Sequence, residues 1–117
     1  MPSPGCVFKI VASKPDLTTF KMPLTELDEQ SGFIHLSTGP QVPHTCDRFF
    51  SLLETLYIIK FPYNKLEPNM KWEPAPGGEE LFPHLYEDLF SADVDSIREF
   101  HRDRGSWQEV LGKAMVI

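Results

Sequence analysis

Apolar and polar residues alternate most sharply along Gly32-Phe33-Ile34-His35-Leu36-Ser37, where Ile34 and Leu36 fall on one face of an extended chain and Phe33, His35 and Ser37 on the other. The pattern predicts a short strand with one packing face and one free polar face. Thr38-x-x-Gln41 then fits a capping box with Thr38 as N-cap, and Gly39 and Pro40 suit a first helical turn, so the strand is predicted to run straight into a helix. Val42, Cys46, Phe49, Phe50 and Leu53 recur at helical spacing and predict a single apolar stripe on it. The free N–H groups of that helix N-terminus would lie near His35 and Ser37, an arrangement suited to a phosphate, carboxylate or carboxamide oxygen.

Cys6-Val7-Phe8-Lys9-Ile10-Val11 predicts a first strand, bounded by Pro4-Gly5 and by Ser13-Lys14-Pro15-Asp16. Between Pro15 and Gly32 a largely irregular segment is expected, with one or two helical turns at Leu24-Thr25-Glu26-Leu27 and a turn over Asp28-Glu29-Gln30-Ser31-Gly32. Leu56 to Phe61 predicts a buried strand ended by Pro62, followed by a connection from Tyr63 to Pro68. Lys71-Trp72-Glu73-Pro74 and the Pro/Gly-rich residues up to Glu80 read as a loop. In Leu81-Phe82-Pro83-His84-Leu85-Tyr86 the alternation puts Phe82, His84 and Tyr86 on one face, while Pro83 argues for an edge strand or a strand start. Asp93 to Arg102 is read as a final strand, and Ser106 with Glu109 as the capping box of a C-terminal helix.

The 117 residues predict one domain, 1–117, able to bury roughly two-thirds of the surface of its unfolded chain. No apolar run approaches the roughly 18 residues of a membrane span, and the start lacks the features of a signal peptide, so a soluble cytoplasmic protein is expected. Cys6 and Cys46 are expected to be free, and no C-x-x-C pair offers a cysteine zinc site. A net charge of −6, from 17 acidic and 11 basic residues, opposes non-specific nucleic-acid binding but leaves a small anionic ligand open.

The chemistry-bearing candidates follow from these placements. His35 and His84 lie on two polar strand faces, each with a hydroxyl two residues on, at Ser37 and Tyr86; they line one cleft or are separately satisfied core histidines. Arg48 is the nearest candidate cation, or a solvated helix residue. Trp72 stacks on a ligand or anchors its loop, and Glu73 is the carboxylate best placed as a general base or hydroxyl acceptor, or is solvated. A metal held by His35, His84 and Glu73 or His44 lacks any short ligand spacing, and none is expected.

Taken together, GFIHLSTGPQVPHTCDRFF, KWE and FPHLYEDL resemble the family named domain of unknown function 952, over nearly the whole chain. That resemblance implies an ADP-ribosyltransferase-like fold: an α+β domain with a split antiparallel sheet flanked by a few short helices and a nicotinamide dinucleotide in the cleft. It further implies NAD, as substrate, or a related ADP-ribose nucleotide as the ligand. His35 would hold ribose hydroxyls, Ser37, Thr38 and Gln41 would meet the nicotinamide or phosphate end, Arg48 would meet an anion, and His84, Tyr86 and Trp72 would form the opposite wall. Glu73 would act with His35 and His84 in catalysis. Two departures stand out: the late motif contains no glutamate, and neither motif carries the arginines on which the fold-related RNA 2′-phosphotransferases rely. A non-catalytic nucleotide-binding module is the competing reading.

Overall fold

The computed structural model describes residues 4–75 and 77–114. The first three residues and Pro76 of the Pro/Gly loop lie outside this description.

Six strands form two three-stranded antiparallel sheets, and a few short helices complete an α+β domain. The first sheet has β1 (Cys6–Val11) at its edge, β3 (Thr55–Pro62) in the centre and β6 (Ser96–His101) beyond it. Its strands are apolar on both faces because both are covered. Phe8, Ile10, Leu56, Ile58 and Phe100 pack against Val42, Cys46, Trp107 and Leu111 of the helices α2 (Val42–Phe49) and α4 (Trp107–Ala114). Val7, Ile59 and Phe61 face the other way and meet Ile34, Leu36 and Leu85.

Those residues belong to the inner face of the second sheet, in which β5 (Leu81–Leu85) lies between β2 (Ile34–His35) and β4 (Met70–Pro74). The layers therefore run helices, first sheet, second sheet. On the outer face of the second sheet the polar residues of the alternating strands are gathered, His84 among them being buried by its neighbours. Ser37 ties the sheets together, its N–H and C=O exchanging bonds of 2.9 and 2.8 Å with the backbone of Phe8.

Several sequence expectations are corrected. The segment before β2 holds a capped helix, α1 (Glu26–Ser31), not a turn: the Thr25 hydroxyl accepts from the Asp28 N–H, and Gly32, at φ 81°, closes the helix in the left-handed conformation that glycine adopts without cost. Helix α2 begins at Val42 with Gln41, not Thr38, at its cap; Gln41 and Val42 first make turn bonds back to Thr38 and Gly39, and the Gln41 side-chain oxygen accepts the Thr38 N–H. It also ends at Phe49, so Leu53 lies past it and the Phe49 side chain is exposed. The connection that follows β3 contains a helical turn, α3 (Tyr63–Leu66).

Lys71 to Pro74 lies in β4, because β5 supplies a partner for its backbone. Pro83 sits in the central strand, not at an edge. Leu36 N–H donates to Pro83 C=O at 3.1 Å, and Pro83, having no N–H, returns no bond, so regular β2–β5 pairing stops there.

The C-terminal helix is held from two directions. Ser106 Oγ accepts the Glu109 N–H at 3.1 Å, while the Asp47 carboxylate, reaching over from α2, accepts the Trp107 and Gln108 N–H groups at 2.6 and 3.1 Å. Asp47→Ala is expected to lower stability by about 1–2 kcal/mol, the upper part of the range for a lost cap, and Ser106→Ala by less; paired urea titrations measure both.

Candidate functional site

The site is built around one cross-strand pair. His35 of β2 lies directly opposite His84 of β5. The backbone N–H and C=O of His35 are bonded away from β5, so this is a non-hydrogen-bonded pair, the type in which facing side chains come closest. The imidazole centroids are 5.4 Å apart. Phe33 packs on both rings, stacked on His84 at 4.2 Å and tilted against His35 at 4.6 Å, and Tyr86 adjoins Phe33 at 5.3 Å.

Each histidine is oriented by a carboxylate through Nδ1. On the β2 side, Asp28 Oδ1 lies 2.8 Å from His35 Nδ1 and accepts the His35 backbone N–H at 3.1 Å, while its Oδ2 takes Lys9 Nζ at 2.6 Å. Lys9 also donates to His35 C=O at 3.1 Å. The Lys9–Asp28 pair therefore satisfies both backbone groups on the open edge of β2, where a sheet would need another strand. Burial pushes the Asp28 carboxyl up, but the hydrogen bonds of His35 and the charge of Lys9 prevail and hold it well below the usual carboxylate range. Burial likewise weakens the basicity of Lys9, which Asp28 only partly restores.

On the β4 side, His84 Nδ1 lies 3.1 Å from Glu73 Oε1, and the Tyr86 hydroxyl donates to that same oxygen at 2.5 Å. The Tyr86 bond first, then that of His84, holds Glu73 below the usual carboxylate range; the same contact raises the Tyr86 phenol. His84 is lowered chiefly by burial, with Glu73 opposing and the neighbouring His35 adding to the shift. Lys71, opposite His84 in the β4–β5 register, lies 4.8 Å over the Tyr86 ring. With both Nδ1 atoms taken, Nε2 is the nitrogen each ring has left for a ligand.

A cavity of about 420 Å³ lies against the same ion pair but away from the histidines. Val11, Met22, Leu24, Thr25, Ile34 and Leu89 are among the residues that line it, with Lys9 and Asp28 on its wall. The concave space and the titratable cluster are thus separate features that share only the ion pair.

The profile of a family described as a protein of unknown function, DUF952, matches residues 14–97, a span that holds all of these side chains except Lys9 and Val11. The chain belongs to the DUF952 family. It is similar to the crystal structure of protein CC0527 from Caulobacter crescentus, with 27% identity, a TM-score of 0.76 and coverage of 94% of this chain and 97% of that one. The solution NMR structure of CC0527 gives 28% identity and a TM-score of 0.73, covering 94% and 96%. No curated protein matches.

Within this DUF952 domain the residues picked from the sequence divide into two groups. His35, His84, Glu73 and Tyr86 come together on the outer face of the second sheet. Ser37, although on the same side of its strand by alternation, is buried where the sheets join. Gln41 is buried and occupied, its amide donating to Glu80 at 3.1 Å and to Leu81 C=O at 2.8 Å while its oxygen takes the Thr38 N–H; these bonds fasten the start of α2 to the approach to β5. Arg48 is exposed, with its guanidinium 5.0 Å over the Phe49 ring. Trp72 alternates with Glu73 and so points to the opposite side of β4, where its Nε1 donates to the Tyr63 hydroxyl at 3.0 Å. That contact is the anchoring role.

Sequence reasoning missed Asp28, Lys9 and Lys71. A signal for the first two was present: Lys9 stands alone in an apolar strand and, once buried, needs a carboxylate, and Thr25 and Gly32 frame a short helix around Asp28. Among the described residues no group of three or more His, Cys, Asp or Glu side chains is placed to hold a metal ion, and no helix is long and apolar enough to cross a membrane. The described cysteines are free, and burial pushes the Cys46 thiol up to about 12.

Proposed function

We propose that this protein binds NAD or another ADP-ribose-containing nucleotide on the face walled by β2 and β5. The observation that carries the reading is the direct opposition of His35 and His84, each fixed by its own carboxylate and both packed on Phe33. His35 Nε2 meets ribose hydroxyls, Phe33 and Tyr86 offer ring surface to a base, and Lys71 brings a positive charge beside them. The resemblance to ADP-ribosyltransferases and RNA 2′-phosphotransferases supports this choice of nucleotide, and two antiparallel sheets joined at Ser37 are compatible with a split sheet of that kind.

Binding without ADP-ribosyl transfer is the form of this reading that the site favours. Glu73 Oε1 already receives both Tyr86 and His84, so the carboxylate is engaged in holding its neighbours.

Calorimetric titration with NAD and with ADP-ribose tests the proposal. Binding to the natural sequence should weaken by about 1.5–3 kcal/mol in His35→Ala, the range for lost hydrogen bonds that involve a charged group. If neither compound binds, the ligand assignment is wrong. Glu73→Gln then separates the two forms: loss of turnover at unchanged affinity marks a transferase, and unchanged binding with no turnover to lose marks a binder.

A further inference from the structure

We propose that His35 and His84 form a proton-transfer pair for hydrolysis of a phosphodiester, with His84 Nε2 as general base toward water and His35 Nε2 as general acid toward the leaving oxygen. This deepens the nucleotide reading and rests on the same face.

The geometry points to proton transfer at phosphorus. Each carboxylate at the site serves a histidine: Glu73, half-exposed, is bonded through Oε1 to Tyr86 and His84, and Asp28 is buried against Lys9. What does remain is two imidazoles on adjacent strands, 5.4 Å between centroids, each with Nδ1 anchored and Nε2 unused. Displacement at a phosphodiester calls for such a pair, one group removing a proton as the nucleophile adds and one supplying a proton as the alkoxide departs.

The two rings are not equivalent. His84 is largely enclosed and lies beside a second imidazole, which favours its neutral, proton-accepting form. His35 is more open, and the Asp28 carboxylate behind it accepts from the ring at Nδ1 and pairs with Lys9 through its other oxygen, which fixes the ring with Nε2 outward. In the step, the water oxygen–phosphorus bond forms and the phosphorus–alkoxide bond breaks. His84 receives the water proton and His35 gives one to the alkoxide, so a diester and water yield a monoester and an alcohol. Glu73 is a positioning residue that acts through His84, and Asp28 acts through His35 in the same way.

The test uses the intact protein with two probes, 2′,3′-cyclic AMP and bis(4-nitrophenyl) phosphate. Nitrophenolate leaves without needing a proton, whereas the ribose alkoxide needs one. His84→Ala, with His84→Asn as the variant that better preserves volume, should slow both probes by about 100-fold or more. His35→Ala should slow the cyclic nucleotide by a similar factor and the nitrophenyl ester far less. On the acid side the rate on the cyclic nucleotide should fall as His84, which faces Glu73, Lys71, Tyr86 and His35, takes up a proton. Glu73→Gln should move the acidic limb to lower pH, because His84 loses the carboxylate that favours its charged form.

Absence of hydrolysis of both probes overturns the inference, as does an equal effect of His35→Ala on the two. NAD binding that depends on His35 without any diester hydrolysis leaves the nucleotide reading standing and removes this one. Hydrolysis with the expected variant pattern, but no binding of NAD or ADP-ribose, keeps the proton-transfer pair and removes that ligand.

Discussion

Replacing Asp28 by alanine is expected to cost about 3–5 kcal/mol of folding stability, because it leaves the Lys9 ammonium buried without its counter-charge. A double variant, Lys9→Met with Asp28→Leu, should recover part of the loss by removing both charges. Recovery stays incomplete, since the His35 N–H and C=O on the β2 edge lose their partners as well.

The pH dependence gives a second reading of the same pair. In the natural sequence the folded-state pKa of Asp28 lies below its unfolded value of about 3.9, so its contribution is present above that pH and is lost as pH falls toward the folded value. Acidification below about pH 4 should therefore lower Tm more in the natural sequence than in the double variant. In Asp28→Ala the sign of the Lys9 effect is opposite. Lys9 then has a folded pKa depressed below the unfolded value of about 10.4, the unfolded chain binds more protons between the two, and stability rises with pH across that interval. The deficit of Asp28→Ala should shrink in alkaline buffer. A deficit that is constant with pH would show that Lys9 does not hold its charge there.

Trp107→Ala should lower stability by about 3–5 kcal/mol, the range for emptying a large aromatic site. Trp107 is fully buried at the start of α4, against the helix-facing side of the first sheet, and its Nε1 donates to Phe50 C=O at 3.0 Å. It joins α4 to the end of α2 and so closes the helical layer. Trp107→Phe keeps most of the buried ring and removes one of the two hydrogen bonds that the Phe50 carbonyl accepts, the Leu53 N–H at 3.1 Å remaining, and should cost less, about 0.5–1.5 kcal/mol for the lost bond. Chemical denaturation of the three proteins distinguishes the contributions. The histidine face lies on the far side of the second sheet, so ligand affinity at a temperature where all three stay folded should be unchanged.

Strand alternation was enough to place His35 and His84, because a period of two leaves no freedom about which face a side chain takes once the apolar face is buried. The final strand and the Ser106 cap were legible for the same kind of local reason. Glu73 and Trp72 were chosen from one stretch, but strand geometry sends adjacent residues to opposite sides, and only the pairing with β5 revealed that the stretch is a strand. Trp72 went to Tyr63, and Glu73 to the histidines. Pro83 misled because its missing N–H suggests an edge, whereas the central strand accommodates it where regular pairing with β2 ends.

The chain alone determined the alternating strands, their apolar faces and the identities of the two histidines, because those depend on local backbone geometry and on which side chains leave water. Tertiary structure decided the rest: that His35 faces His84, that Asp28 and Lys9 complete the edge of β2, and that Ser37 and Gln41 serve the fold. These depend on which groups find partners far along the chain, 19 residues away for Lys9 with Asp28, 40 for Gln41 with Leu81, and further still for His35 with His84. No local periodicity encodes such pairings; they emerge when buried charges and open strand edges must be satisfied together.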